Sequence, residues 1–198
     1  IILCCMRGNG NERENEETIR IAAEFLSDSD GVVAVDLAGA EALFPTSDYE
    51  KLFAHARAEG IPFTIHAGEA AGPESIRQAV DYGTARIGHG VNCIHDKNLM
   101  NIIAEKGITL ELCPTSNLNT KIVNDIKDYP IDEIINNKIK VTINTDNMTV
   151  SGTDEASEMK LICDTFGYDG NMRRIFVDNA IDAAFLSNEM KEKLRGNL

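Results

Sequence analysis

The chain has 198 residues, 43% of them apolar, enough to bury the core of one large domain. Its formal charge of -13 and isoelectric point near 4.7 exclude a surface built for nucleic acid or an anionic membrane, because phosphate is held by clustered Lys and Arg. Small molecules are the expected partners. The five cysteines (Cys4, Cys5, Cys93, Cys113, Cys163) are scattered and form no C-x-x-C pair, which points to reduced thiols in a cytoplasmic protein. The opening "IILCCM" lacks the basic region and cleavage site of a signal peptide, and no apolar run approaches the length of a membrane span.

"IILCCM" reads as a buried strand with no cap or turn before it, so the chain is expected to start inside a larger domain. Residues 11–27 then carry Ile19, Ala22, Ala23, Phe25 and Leu26 at helical spacing. The second strand is "GVVAVDLAG", followed by a helix over 47–59 with Leu52, Phe53 and Ala56 on one side. Strand "IPFTIHAG" leads to a helix in "GPESIRQAVDYG", where Pro73 suits a helix start. Strand "ARIGHG" leads to a helix in "HDKNLMNIIAEKG", where Gly107 suits a C-cap. Strands "ITLELCP" and "KVTINTD" follow, and residues 153–166 and 171–197 read as closing helices. No low-complexity linker divides the chain, so a single domain over 1–198 is expected.

Strand alternating with helix calls for parallel pairing and right-handed crossovers. The strands read as apolar on both faces, as in a parallel sheet covered by helices. An open doubly wound sheet and a TIM-type (β/α)8 barrel both meet that description. Polar residues able to do chemistry end at least four of the strands, whereas an open sheet gathers its ligand residues at one switch point, which favours the barrel. The expected fold is therefore α/β, an incomplete (β/α)8 barrel with about six of its eight βα units, the other two lying upstream.

His66 ends the third strand and Glu69 follows about one helical turn later. An imidazole can ligate zinc and a nearby carboxylate can move protons, although an isolated H-x-x-E also fits an ordinary loop. His89 sits between two glycines in "RIGHGV", which serve either a close approach of backbone to a ligand or a tight turn. Asp146 and Asn147 follow the sixth strand, where a carboxylate suits a divalent metal, and where Asp-Asn is equally common turn chemistry. Gly39 could offer its N–H to a planar ligand, and "CPTSN" could line the mouth of the barrel; both also fit plain loops. Cys113 reads as a packing residue, and His55 and His95 as surface histidines. His66, Glu69, His89 and Asp146 together fall at the carboxyl ends of three different strands.

In "ILCCMR", "VDLAGAE", "IHAGEAAGPESI", "RIGHGV", "LCPTSN" and "NTDN", in this order over residues 2–147, the chain resembles the adenosine deaminase family of zinc-dependent (β/α)8 amidohydrolases. The resemblance implies hydrolytic deamination of adenosine, and of 2'-deoxyadenosine, to inosine and ammonia in purine salvage. It implies Zn2+ as cofactor, with His66 and Asp146 as ligands. Asp146 would also hydrogen-bond the attacking water, Glu69 would protonate purine N1, and His89 would orient the water and stabilise charge. Gly39 would donate to N3 and Asn147 to N7. The H-x-E and P-C-x-x-C pattern of cytidine-type deaminases does not occur in the chain.

Two departures from the family pattern matter. Many relatives have aspartate where Asn147 stands; an amide donates to N7 without needing a proton, so Asn147 reads as a tolerated variant. The family's H-x-H pair is absent from these residues, which leaves zinc two protein ligands, fewer than the three usual at catalytic sites. Weak zinc binding by this chain is expected, and the open strand edges of a partial barrel suggest self-association. The alternatives are a deaminase of adenine or a modified adenosine, an inactive self-associating fragment, and a metal-free sugar-phosphate barrel. The last would need a Gly-rich phosphate loop where the chain has "NTDNMTVSG".

Overall fold

The computed structural model describes residues 1–27 and 31–196. In chain order it contains β1 (Ile2–Met6), α1 (Glu12–Glu24), β2 (Ala34–Ala38), α2 (Glu50–Ala58), β3 (Thr64–Ala67), α3 (Pro73–Tyr82), β4 (Arg86–His89) and α4 (Lys97–Lys106). There follow β5 (Thr109–Leu112), α5 (Pro114–Asn119), α6 (Ile131–Asn136), β6 (Lys140–Ile143), α7 (Met148–Ser151), α8 (Glu155–Phe166), α9 (Gly170–Ala183) and α10 (Asn188–Gly196). All six expected strands form. Pro73 occupies the first turn of α3, and Gly107 caps α4 in the left-handed conformation, as their positions in the sequence suggest.

Every strand pairing is parallel, with β1 against β2 and β3-β4-β5-β6 in sequence order. The two sheets are joined by a bridge between Val35 and Phe63, where Val35 N–H donates to the carbonyl of Pro62 at 3.0 Å. The strands thus run 1 to 6 in one curved array, six of the eight units of a TIM-type barrel. Among the described residues no ladder joins β6 to β1.

One face of the array is apolar. Leu37, Ile65, Ile87, Leu110 and Val141 pack under the helices with Ile19, Phe53, Ile76 and Ile103, and all are essentially buried. The other face corrects the expectation of strands apolar on both sides: Asp36, Thr64, His66, Arg86 and Glu111 line the inside of the barrel. These groups are paired, which is what lets polar residues occupy an interior. Arg86 Nε lies 2.7 Å from Glu111 Oε1, and Thr64 Oγ1 donates to Glu111 Oε2 at 2.9 Å.

The expected helix over 171–197 is also corrected: it breaks between α9 and α10, and residue 197 lies outside the described residues. Ala184 leaves the helix at φ -60°, ψ 138°, which brings the Phe185 ring over the Arg86 guanidinium at 4.1 Å. Arg86 also donates to the carbonyl of Ala183 at 3.1 Å. The chain gives up one turn of helix to cover a charge at the barrel floor. Among the described residues no helix is long and apolar enough to cross a membrane.

Candidate active site

The carboxyl ends of the strands open on a cavity of about 330 Å3 lined by Cys4, Asp36, His66, Gly88, Cys113 and Asp146 among others. His66 alternates with Ile65 along β3, so a buried Ile65 on the helix side fixes the imidazole on the inner side. Gly88 on β4 is opposite His66. A Cβ at Gly88 would lie 3.1 Å from both Cγ and Nδ1 of the imidazole, so the glycine next to His89 makes room for the neighbouring ring. His66 Nδ1 lies 3.0 and 3.1 Å from the two oxygens of Asp36 on β2, which leaves Nε2 available. Burial by itself lowers the His66 pKa, but the hydrogen bond and charge of Asp36, helped by Glu111 and Asp146, override it and raise the imidazole to about 9.

His89, at the end of β4, is 1% exposed and has φ +60°, in the left-handed region that non-glycine residues seldom occupy. Its Nδ1 is 3.1 Å from Nδ2 of the buried Asn117, whose Oδ1 accepts from Tyr129 Oη at 2.9 Å. The tyrosine hydroxyl is the donor in this contact, and burial holds its pKa well above the usual range. That sets the Asn117 amide with its NH2 toward His89, so Nδ1 accepts and the ring proton sits on Nε2. Nε2 points at Glu69, 3.6 Å from Oε2. Burial lowers the His89 pKa, opposed by the charge of Glu69 and reinforced by His66, whose ring centroid is 5.2 Å away.

Asp146 lies three residues beyond the end of β6 and has φ +56°. Its Oδ2 accepts from Ser116 Oγ at 2.7 Å, leaving Oδ1. Asn147 is the N-cap of α7, where its Oδ1 accepts from Val150 N–H at 3.0 Å; this turns its NH2 away from the helix as a donor. Gly39 follows β2 at φ +112°, and a Cβ there would come within 3.3 Å of the Arg7 backbone. Cys113 is buried, and burial followed by the charges of Asp146 and Glu111 pushes its thiol well above the usual range, which fits a packing role.

The structure therefore brings His66, Glu69, His89 and Asp146 to one end of the barrel. Asp36, Ser116 and Asn117 hold three of these side chains; Ser116 and Asn117 belong to the "CPTSN" stretch expected at the barrel mouth, whereas Asp36 was not singled out from the sequence. Asp36 did leave a signal, as a lone acid inside the otherwise apolar "VVAVDLAG". For a metal, the available donors are His66 Nε2 and Asp146 Oδ1, and the Asp36 contact to His66 Nδ1 is the outer contact that a metal-ligating imidazole characteristically has. These residues fit part of a zinc site. Among the described residues no group of three or more His, Cys, Asp or Glu side chains is gathered to hold a metal.

A sequence model of the family described as adenosine deaminase matches residues 1–198. The chain is 46% identical over 199 residues to the adenosine deaminase of Haemophilus ducreyi, covering all of this chain and 58% of that protein. Among solved structures, the adenine deaminase of Arthrobacter aurescens shares the fold with a TM-score of 0.88 at 23% identity over 98% of this chain and 58% of that one. The N6-methyl-AMP deaminase of Arabidopsis thaliana aligns with a TM-score of 0.86 at 27% identity over 98% and 56%. The chain spans less than two thirds of the relatives it matches. With a family model matching residues 1–198 and 46% identity to a curated relative, on a parallel strand array of the same fold, the chain belongs to the adenosine deaminase family.

Proposed function

We propose that this chain supplies the proton-transfer and purine-binding groups of a cytoplasmic hydrolytic deaminase that converts adenosine and 2'-deoxyadenosine to inosine or its deoxy form and ammonia, in purine salvage. The supporting observation is the meeting of the four groups at one end of the barrel: His66 and Asp146 line the cavity, the His89 ring lies 5.2 Å from that of His66, and His89 Nε2 lies 3.6 Å from Glu69 Oε2. In the reaction, water adds its oxygen to purine C6, its two protons are accounted for by one on N1 and one on the exocyclic nitrogen, and the bond from C6 to that nitrogen breaks so that it leaves as ammonia. Glu69 gives a proton to N1 as water adds, so that the ring accepts electrons at N1. His89 directs Nε2–H at the incoming oxygen, a donor whose orientation Asn117 has already set. Asp146 accepts a hydrogen bond from the water through the oxygen that Ser116 leaves unused. The Asn147 NH2 donates to N7, and the Gly39 N–H to N3.

Zinc is the metal we assign to His66 and Asp146, and its contribution when held is to lower the pKa of the attacking water to about 7. With two ligands from this chain, zinc binding by residues 1–198 alone is proposed to be weak. The unpaired edges of β1 and β6 are proposed to make the isolated chain self-associate, which sedimentation would register as a concentration-dependent mass.

The test is turnover by the zinc-supplied protein carrying these residues, offered adenosine, 2'-deoxyadenosine, adenine and N6-methyl-AMP in parallel. Adenosine and its deoxy form are expected to be turned over fastest, with one ammonia per inosine. A clear preference for N6-methyl-AMP would replace the substrate reading with the activity named for the Arabidopsis structure. No turnover of any of the four would overturn the proposal.

A further inference from the structure

Glu41 follows β2, is 5% exposed, and makes no ion pair among the described residues. Arg7 is near enough to feel its charge but makes no ion pair with it, so this buried acid needs a further source of compensation. Here it is the loop between β3 and α3. Glu41 Oε1 accepts from Gly68 N–H at 2.6 Å and from Ser75 Oγ at 2.5 Å. Its Oε2 accepts from the N–H groups of Glu69, Ala70 and Ala71 at 3.0, 2.8 and 3.0 Å. Four consecutive amides of the loop that carries Glu69 therefore converge on one carboxylate.

The carbonyl side of the loop is held separately. Asn92 Nδ2 donates to the carbonyls of Glu69 and Ala71 at 3.0 and 2.9 Å. Behind Glu41 the contacts continue from Ser75 to Thr46 at 2.7 Å and from Arg7 to Thr46 at 2.9 Å. The same Arg7 nitrogen donates to the carbonyl of His66 at 2.7 Å. Both oxygens of Glu41 are saturated with donors, so neither can be exchanged for an NH2 without setting donor against donor.

We propose that Glu41 is a positioning residue for the deamination: by gathering the 68–71 amides it fixes the backbone of Glu69 and so the direction of the carboxyl that serves purine N1. This rests on the role of Glu69 given above. Ser75 shares the task from α3, and Asn92 completes it on the carbonyl side. A glutamate is needed because only an acceptor-only group of this reach can meet five donors at once.

Hydrogen exchange and kinetics of Glu41→Gln in the full protein test this. The 69–71 amides are expected to lose protection while the α3 amides after the first turn keep theirs. kcat is expected to fall about a hundredfold, the usual consequence of misplacing a reacting group by about 1 Å, with KM changed severalfold at most. The double variant Glu41→Gln/Glu69→Gln is expected to be no slower than Glu69→Gln alone, since Glu41 acts only through Glu69. Unchanged exchange at 69–71, or penalties that multiply in the double variant, would overturn the proposal. The exchange result stands even if the four purines are not substrates, so failure of the activity and failure of the positioning role are distinguishable. If Glu41→Gln does not fold, Ser75→Ala removes one of the five donors. It is expected to loosen the same amides and slow kcat severalfold, and an intact loop with wild-type kcat would again overturn the proposal.

Discussion

The two halves of the candidate site are built differently. On the β3-β4 side, His89 is 1% exposed, with its ring orientation set by Asn117 and Tyr129, and the Glu69 loop is held on both its N–H and carbonyl sides. On the β6 side, Asp146 and Asn147 lie past the end of the strand on exposed backbone, each anchored through one oxygen. In the proposed reaction the first half handles protons, where orientation fixed in advance has the largest effect on rate. The second presents one carboxylate oxygen and one amide outward, so its geometry is completed by what binds there.

Glu69→Gln should break the comparison hardest: an amide cannot deliver a proton to N1, and kcat is expected to fall by about 10²–10⁴ with the fold unchanged by circular dichroism. A loss confined to KM would place Glu69 among the binding groups instead. Asn117→Ala comes next. It leaves the buried Tyr129 hydroxyl without its acceptor and His89 Nδ1 without its donor, at a cost of about 1–3 kcal/mol in urea unfolding. Ser116→Ala, the equivalent change on the β6 side, should cost under about 1 kcal/mol, because Asp146 can turn to water. Equal costs for these two would remove the contrast between a fixed and an open half.

Zinc titrations sharpen the same contrast through His66. Asp36 keeps the imidazole protonated up to a pKa of about 9, so below that pH zinc must displace a proton. Affinity for the metal-free chain is expected to rise about tenfold per pH unit from 6 to 8, with one proton released, and to level off above about 9. Asp36→Asn removes the group that raises the pKa and should flatten the slope near neutrality, as calorimetry in buffers of different ionisation enthalpy would register. For stability the sign runs the other way. A His pKa raised on folding gives stabilisation that is complete below the unfolded value of about 6.5 and lost as pH rises through about 9, and metal-free unfolding should follow that window. The smallest effect belongs to Asn147→Ala, where loss of the N-cap of the four-residue α7 should cost about 1 kcal/mol and weaken purine binding modestly.

The alternation of strand and helix, the parallel pairing and the strand ends at His66 and His89 were legible in the chain, because hydrophobic period and turn residues act over a few neighbours. That His66, Glu69, His89 and Asp146 would lie near one another was legible from the family motifs they sit in, and the roles given to them are those of the proposed reaction. What the tertiary structure decided was which groups hold them. Asp36 meets His66 across 30 residues, Asn117 meets His89 across 28, and Glu41 meets the 68–71 amides across 27 to 30. The polar inner face and the break before Phe185 depend likewise on Arg86, which is 97 residues from the Ala183 carbonyl it binds. Such contacts follow from strand register and barrel curvature, which bring distant backbone into hydrogen-bond range, and local sequence pattern carries no information about them.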